Sequence, residues 1–507
     1  MLFNSYEFIN FFLPSLIFVS LVTIYIFKSK VLLKVLIVIF SLIFYGYWDY
    51  SGLYILLSSI VFNFIIGRRI LNARDHIRKT ILVLGIFFNL SLLAYYKYFN
   101  FIYQNISFLI FREGFSSEKV LLPEIILPLA ISFFTFQQIA YLVDCYKNKK
   151  EQSLNYNLLD YTLFVTFFPQ LIAGPIVHHR FIMPQYAILT EDRDSLLKNF
   201  SSGITLFSIG LLKKVIIADS LALNANHVFG AAAISSIDSV SAWIGAISYS
   251  LQIYFDFSAY CDMAMGLALL FGVRLPINFN SPYKAKSIIC FWRRWHITLS
   301  NFLRDYLYIP LGGNRNGVFS RYKNIILTML LGGLWHGAGW NFVFWGLLHG
   351  LLICLNHLWR ESYLRKIFWE KCIQNNYSIP KLGKQGLSVV YNYSCWALTL
   401  FFLVITWVFF RSPELATSVN LLQSMFGLEN MLNISDRLSS RSLLILPIGI
   451  IVCLFSPNLM EIFNLSKHNN SKLVWNLNIW WMFVGSVCFV ISYFYIFDNS
   501  EFIYYRF

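Results

Sequence analysis

The stretch GGLWHGAGWNFVFWGLLHG, residues 332–350, is strongly apolar, yet it carries six glycines and two histidines, His336 and His349. An ionisable side chain inside a membrane is costly and usually marks a functional site. The glycines let backbones approach closely or let a helix break, and Trp335 and Trp340 provide rigid aromatic walls. We interpret the stretch as a cavity that holds a reactive imidazole at His336, although a neutral core histidine bonded to a backbone carbonyl is the simpler alternative.

The second histidine of this stretch is predicted to have another role. His349 follows His336 by thirteen residues, which is about three and a half turns along a continuous helix. The two imidazoles are therefore not expected to share a site, and we interpret His349 as a packing or rim residue.

The whole chain has the composition of a membrane protein. Of its 507 residues 57% are hydrophobic and only 13% are charged, and the mean hydropathy is +0.60. Many apolar runs are long enough to span a bilayer, and they predict an all-α polytopic integral membrane protein with about 10–13 transmembrane or re-entrant helices. The first run has no basic residue before it and no small-residue cleavage site after it, so we expect it to be a retained span.

Basic residues predict the orientation. They fall in every second loop, which places the N-terminus outside and three loops in the cytoplasm. The net charge of +15 is explained by these loops meeting anionic lipid head groups. Nucleic-acid binding is the weaker interpretation, because the basic residues are scattered between spans and do not gather on one soluble domain. The basic residues of the three loops are Lys28, Lys30, Arg68, Arg69, Arg74, Arg78, Lys79, Lys147, Lys149 and Lys150.

A second candidate is His296, in WRRWHITLS, where the alternative is an interfacial side chain of a basic helix. We expect His178 and His179 to be interfacial, and Gln137 and Gln138 to join helices through hydrogen bonds. Neither a P-loop, a Rossmann fingerprint, a GxSxG elbow nor HExxH is present, and the eight cysteines show no CxxC spacing. We therefore predict no metal site.

Five stretches, in this order, resemble the membrane-bound O-acyltransferase family. They are SFFTFQQIAYLVDCY, FFPQLIAGPIVHHRFIMPQ, YFDFSAYCDMAMGLALLFGVRLPINFNSPY, FWRRWHITLSNFLRDYLYIPLGGNR and GGLWHGAGWNFVFWGLLHG. The similarity is to the bacterial branch of alginate O-acetyltransferases and of peptidoglycan and cellulose O-acetylation proteins. It covers nearly the whole chain, so we expect one membrane domain over 1–507, with N-terminal spans in 1–150, a catalytic core in 151–360 and C-terminal spans in 361–507.

The resemblance implies a ring of spans around a thinned membrane centre. The invariant catalytic histidine of the family falls on His336, which the resemblance implies to be the general base. Its second polar position falls on His296, which would orient the donor or stabilise the developing oxyanion. The ending FIYYRF is similar to a C-terminal FxYxxF motif whose tyrosine, here Tyr504, is proposed to carry the acyl group; an aromatic interface anchor is the alternative.

The resemblance also implies acetyl-CoA as the acyl donor and no permanently bound cofactor. The phosphates of the donor are expected to meet a set of cytoplasmic basic residues. A periplasmic esterase-like partner of the SGNH type would complete transfer to the polymer. The candidate donor-binding residues are Lys284, Lys286, Arg293, Arg294 and Arg304.

These observations together predict the function. The chain is expected to move an acetyl group across the bacterial inner membrane for O-acetylation of an extracytoplasmic polysaccharide, such as alginate, peptidoglycan or another exopolysaccharide. Alternatives are a D-alanyl or lipid acyltransferase and, in another class, a glycan or lipid transporter. A transporter would be favoured by an inverted internal repeat, which the sequence does not show.

Overall fold

The computed structural model describes residues 1–111, 125–147, 156–187, 193–362, 381–427, 438–465, 472–496 and 502–503. Within these ranges the regular structure is helical, and no β-strand occurs. A helix satisfies its backbone hydrogen bonds within one segment, which suits a chain this apolar. The prediction of an all-α protein is confirmed.

The α-helices are numbered along the chain. They are α1 Leu13–Val22, α2 Lys30–Gly46, α3 Tyr50–Asn72, α4 Asp75–Leu93, α5 Phe99–Phe111, α6 Ile131–Lys147, α7 Leu158–Thr166, α8 Phe168–Leu171, α9 His179–Ile182, α10 Arg193–Leu212, α11 Asp219–Ala232, α12 Ser239–Leu270, α13 Ile288–Trp292, α14 Ile297–Leu303, α15 Gly317–His336, α16 Trp340–Glu361, α17 Lys381–Arg411, α18 Leu415–Phe426, α19 Ser440–Phe455, α20 Leu459–Ile462 and α21 Ile479–Phe494. Turns of π-helix occur at Phe8–Phe12, Thr23–Phe27, Ala94–Tyr98, Lys213–Ala218 and Arg304–Tyr308, and turns of 3-10 helix at Met183–Ala187 and Pro282–Lys284.

Six helical stretches in the described residues are long and apolar enough to cross a membrane. Two shorter apolar helices, α19 and α21, add to them. A polytopic membrane protein is therefore confirmed, whereas the count of 10–13 spans and the ring around a thinned centre stay predictions. The six stretches are Phe8–Phe27, Tyr50–Asn72, Asp75–Ile110, Ser239–Leu270, Trp340–Glu361 and Gly386–Arg411.

The chain forms two compact units. Unit 1 comprises Met1–Val215, Phe257–Pro276 and Trp475–Phe507, and unit 2 comprises Ile216–Asp256 and Ile277–Val474. Unit 1 therefore contains α1–α10 and α21, unit 2 contains α11 and α13–α20, and α12 contributes residues to both. The predicted single domain with parts meeting near residues 150 and 360 stays a prediction.

Polar side chains join α3, α4 and α6 within unit 1. The amides of Asn63 and Asn89 bond to each other across α3 and α4, at 2.7 and 3.1 Å. Gln138 of α6 donates to the hydroxyl of Ser59 on α3, at 3.1 Å. Buried amides that pair across helices hold apolar helices in register, and the prediction that Gln138 joins helices is confirmed.

A buried arginine, Arg78, caps the C-terminal ends of two helices in unit 1. The guanidinium of Arg78 donates to the carbonyl of Ile70 in α3 at 3.1 Å and to those of Cys145 and Tyr146 in α6 at 3.1 and 2.7 Å. Carbonyls in the last turn of a helix lack intrahelical donors, and a cation there also interacts favourably with the helix dipole. Arg78 thereby links the C-terminal ends of two helices.

Unit 2 is built around the hairpin of α15 and α16. Glycines lie at the contact, because the backbone of each helix approaches the other more closely than a side chain allows. A Cβ atom added to Gly333 would lie 3.1 Å from the Cα of Gly346, and one added to Gly350 would lie 3.1 Å from the Cα of Ile326. The close approach predicted at Gly333 is confirmed, and Gly346 and Gly350 contribute to it.

Candidate active site

The apolar stretch that contains both histidines is divided between two helices. α15 ends at His336, and α16 begins at Trp340. Gly337 and Gly339 have extended backbone conformations, and the ring of Phe342 lies where a side chain on Gly337 would be. The predicted helix break is therefore confirmed, and it leaves His336 at the end of α15, inside unit 2.

Aromatic rings surround His336. Its side chain is 2% exposed. The imidazole contacts the rings of Trp335, Trp345 and Phe410 edge to face, with centroids 4.8, 5.2 and 5.1 Å away. His336 and the rings packed around it are called the aromatic group. Such walls exclude bulk water and hold the imidazole in one orientation. The predicted wall at Trp335 is confirmed, whereas Trp340, the other predicted wall, is 54% exposed.

His296 lies beside this group, fully buried just before α14. Its backbone is left-handed, with φ of 42°, a conformation that non-glycine residues rarely adopt and that is often found at functional sites. The imidazole lies 6.2 Å from the ring of Trp335, which also contacts His336. The structure thus brings together the two histidines that the sequence singled out.

A shared asparagine fixes the tautomer of His296. The Asn278 side-chain oxygen accepts from the backbone N–H of Thr298 at 3.3 Å and from its hydroxyl at 3.0 Å. A backbone N–H can only donate, so this Asn278 atom is an oxygen, and His296 Nδ1, at 3.1 Å from it, must carry the proton. Burial lowers the pKa of His296 to about 3, so the ring is neutral and its Nε2 is an acceptor.

This tautomer bears on the predicted role of His296. The sequence left two roles open, orienting the donor or stabilising a developing oxyanion. An oxyanion needs a hydrogen-bond donor, whereas neutral His296 offers a lone pair at Nε2. The geometry therefore favours the orienting role, with His296 accepting a hydrogen bond from a substrate.

His349 belongs to the same aromatic group, which the sequence does not predict, whereas its burial among rings agrees with the predicted packing role. It is fully buried, and its ring lies 4.7 Å from that of Trp345, the indole that also contacts His336. The expected separation assumed one continuous helix. The break after His336 folds α16 back along α15, so His336 contacts Trp345, which lies one turn before His349 on α16. The indole N–H of Trp292 donates to His349 Nδ1 at 3.3 Å.

A cavity of about 430 Å³ lies beside this group, within unit 2. Trp292 lines it, so the residue that bonds to His349 also faces the cavity. This volume is in the range of small-molecule sites. Polar and charged side chains around the cavity are Arg293, Ser300, Asn301, Arg304, Tyr308, Thr328 and His357.

Two of the five predicted donor-binding residues, Arg293 and Arg304, line this cavity. Arg304 also forms a two-point ion pair with Asp305, at 2.7 and 2.9 Å. The other three bond elsewhere in unit 2. Lys284 donates to the Ser456 carbonyl at 2.7 Å, Lys286 to Asn392 at 3.2 Å, and Arg294 to the Asn280 carbonyl at 3.4 Å.

Tyr504, the third predicted catalytic residue, and Phe507 lie outside the described residues. The first position of the FxYxxF motif, Phe502, is described and buried. It stacks on Tyr260, with ring centroids 4.5 Å apart, and Phe3 stacks on the same tyrosine at 4.7 Å. Residues close to both termini thus pack on one side chain of unit 1.

Another polar cluster, which the sequence did not predict, lies in unit 1. Asp144 of α6 contacts His178 Nε2 at 2.6 Å and His179 Nε2 at 2.9 Å through one carboxylate oxygen. These three ligand atoms lie within 4.8 Å of one another, a spacing that could hold a metal ion. Arg180 Nε, however, lies 3.8 Å from the same oxygen, and its positive charge opposes a second cation. We interpret the cluster as an ionic contact between α6 and α9.

The structure therefore defines a class of protein. It is a polytopic helical membrane protein with three buried histidines around aromatic rings, beside a cavity that carries two arginines. Imidazoles suit proton transfer, and arginines suit the binding of anionic groups.

The chain belongs to the membrane-bound O-acyltransferase family, whose model matches residues 40–381. It is an O-acyltransferase of that family, which sets the transporter alternative aside. It is 39% identical to the peptidoglycan O-acetyltransferase of Helicobacter pylori, over 95% of this chain and 92% of that protein. It is 38% identical to the probable alginate O-acetylase AlgI of Pseudomonas aeruginosa, over 84% of this chain and 75% of that protein. Over 46% of this chain and 61% of the relative, it is 31% identical to the teichoic acid D-alanyltransferase of Bacillus subtilis.

Proposed function

We propose that this protein transfers an acetyl group from cytoplasmic acetyl-CoA toward an extracytoplasmic polysaccharide, with His336 as the general base. The observation that carries the proposal is the buried, ring-enclosed position of His336 at the break between α15 and α16. The named activities of the relatives from Helicobacter pylori and Pseudomonas aeruginosa support acetyl as the group and a cell-wall or exported polysaccharide as the acceptor.

The proposed chemistry begins with the imidazole of His336. A neutral imidazole has a lone pair on one ring nitrogen and can take a proton from a hydroxyl group as the oxygen attacks. The acceptor oxygen then attacks the acyl carbon of the thioester, and the departing thiolate receives the proton from His336. His296, through Nε2, accepts a hydrogen bond from the substrate and orients it.

The donor-binding role is assigned to the cavity beside Trp292. Arg293 and Arg304 line it and offer guanidinium groups for the phosphates of acetyl-CoA. The three other basic residues bond to carbonyl or amide oxygens outside the cavity lining, so the proposal rests on the two arginines.

The acyl group has to reach the outer face of the membrane. In the proposal Tyr504 carries it as a transient ester, and a periplasmic esterase-like partner of the SGNH type passes it to the polymer. The stacking of Phe502 on Tyr260 supports this role, because it fixes the chain two residues before Tyr504. The protein would lie in the inner membrane, among its lipids, with the N-terminus outside.

Transfer of D-alanine is the closest alternative. The Bacillus subtilis D-alanyltransferase matches less than half of this chain, whereas the Helicobacter pylori O-acetyltransferase matches nearly all of it at higher identity. That difference supports acetyl over D-alanyl.

The test is acetyl transfer from labelled acetyl-CoA in membrane vesicles. Wild type is compared with His336→Ala and Tyr504→Phe, and with His76→Ala, an exposed histidine of α4, as the matched control. Loss of a general base lowers the rate by about 10²–10⁴-fold. We expect wild type and His76→Ala to transfer label and His336→Ala to lose transfer while staying in the membrane.

Each result separates one part of the proposal. Full activity in His336→Ala would refute the role of His336. Label that persists on the protein in Tyr504→Phe would make the tyrosine an anchor only, and transfer from a D-alanyl carrier protein but not from acetyl-CoA would replace the donor.

A further inference from the structure

Among the nitrogens of the aromatic group that are buried without a hydrogen-bond partner in the described residues, two lie on adjacent rings. They are the indole Nε1–H of Trp345 and the Nε2 atom of His349. Trp345 is 1% exposed and His349 is 0% exposed, so bulk water does not satisfy either group. Buried polar groups in native proteins nearly always have partners, and an exception calls for a ligand or a function.

The protonation of His349 follows from its bonded neighbour. An indole nitrogen can only donate, so His349 Nδ1, which receives the Trp292 N–H at 3.3 Å, must hold a lone pair. The proton of the neutral imidazole is then on Nε2, on the edge of the ring away from that bond. His349 is therefore a preset donor, the opposite of His296, whose Nε2 is an acceptor.

The rings that carry the two donors contact each other, and one of them, Trp345, also contacts the proposed base. The rings of Trp345 and His349 lie 4.7 Å apart, and the ring of His336 lies 5.2 Å from that of Trp345. A pair of fixed N–H groups beside a general base is the arrangement that stabilises negative charge on oxygen during acyl transfer.

We propose that Trp345 Nε1–H and His349 Nε2–H together bind the oxyanion of the tetrahedral intermediate. This inference rests on the proposed acyl transfer. The acceptor oxygen bonds to the acyl carbon as His336 takes the hydroxyl proton, and the carbonyl π electrons move onto oxygen, where the two N–H groups donate to them. Collapse restores the C=O bond, breaks the C–S bond and releases a thiolate, which takes the proton from His336.

Trp292 has a positioning role in this scheme. It does not touch the reacting atoms, but its N–H keeps the proton of His349 on Nε2. Because its ring also lines the 430 Å³ cavity, a ligand there would contact the residue that sets the tautomer.

The experiment compares acetyl-CoA-dependent label transfer by four variants in vesicles. Trp345→Phe removes the indole N–H together with part of the ring, His349→Ala removes the imidazole donor, and His349→Gln restores an N–H donor near the Nε2 position. Trp243→Phe is the matched control, since its indole N–H donates to the Met425 carbonyl, outside the aromatic group. Folded protein is measured for every variant by gel filtration in detergent.

Loss of one oxyanion donor lowers kcat by about 10²–10³-fold. We expect that loss in Trp345→Phe and His349→Ala, with KM for acetyl-CoA within about twofold of wild type because the ground-state carbonyl is bound weakly. His349→Gln should recover at least about tenfold of the loss, and Trp243→Phe should match wild type.

The outcomes separate the pair from the proposed function. If wild type transfers acetyl and the kcat of Trp345→Phe is unchanged, the oxyanion pair alone is overturned. The same conclusion follows if His349→Gln is as inactive as His349→Ala. No transfer by wild type from acetyl-CoA overturns the proposed function and, with it, this use of the pair. If Trp345→Phe lowers the amount of folded protein, the comparison of His349→Gln with His349→Ala decides.

Discussion

Replacing Gly346, which follows Trp345 in the chain, by alanine should disturb the active site. The added Cβ atom would lie closer than 3.0 Å to the carbonyl oxygen of Met329 on α15, 3.1 Å from its carbonyl carbon and 3.2 Å from the Cα of Leu330. All three are backbone atoms, which cannot turn aside as a flexible side chain can. The two helices must therefore move apart, and His336 at the end of α15 must move with them.

This displacement should lower both the stability of the protein and the rate of acetyl transfer. Overpacking of a close helix contact costs about 1–3 kcal/mol of stability. A shift of about 1 Å in a catalytic group can lower the rate by about 10²-fold. We therefore expect Gly346→Ala to lower both the midpoint of thermal unfolding in detergent and the rate of acetyl transfer, with the rate reduced at temperatures where the protein remains folded.

The matched control is Gly230→Ala in α11 of the same unit. Nothing lies within 4 Å of a Cβ atom added there, and alanine favours a helix over glycine by up to about 1 kcal/mol. Gly230→Ala should be as stable as wild type or more so, with normal transfer. Wild-type stability and transfer in Gly346→Ala would refute the claim that close backbone packing positions His336.

Two further predictions test groups around the site. Asn278→Ala should reduce acetyl transfer by about tenfold, because it removes the acceptor that fixes the tautomer of His296. Asn278→Asp keeps that acceptor and should be more active than Asn278→Ala. Equal rates in the two variants would show that the tautomer of His296 does not matter. Arg293→Ala should raise KM for acetyl-CoA by about tenfold with little change in kcat. The control is Lys323→Ala, which replaces an exposed lysine of α15 and should leave KM unchanged. An unchanged KM in Arg293→Ala would show that the donor binds elsewhere.

The sequence predicted the helix break and the close helix contact, because both depend on local glycines. Gly337 and Gly339 lie in the break, and Gly333 and Gly346 lie at the contact. It also identified His336 and His296 as candidates, since a histidine within an apolar or basic aromatic segment stands out in one dimension.

What the sequence missed depends on how distant segments meet. The place of His349 in the aromatic group was hidden because its separation of thirteen residues from His336 was measured along one helix. The hairpin brings His336 to Trp345, which lies one turn before His349 on α16. The tautomer of His296 depends on Asn278, eighteen residues earlier. The contact of Asp144 with His179 was missed for the same reason, because the two residues are 35 positions apart and no local pattern indicates that they pair.

The division of unit 1 along the chain has a consequence for biosynthesis. Residues from Trp475 onward are translated only after all of unit 2, yet they belong to the same compact unit as Met1–Val215. Helix α21 packs on α10, and Phe502 stacks on the tyrosine that already holds Phe3. The ribosome therefore finishes the hairpin that carries His336 while unit 1 still lacks α21. The membrane insertion machinery must keep the exposed face of α10 from pairing wrongly until α21 has been made.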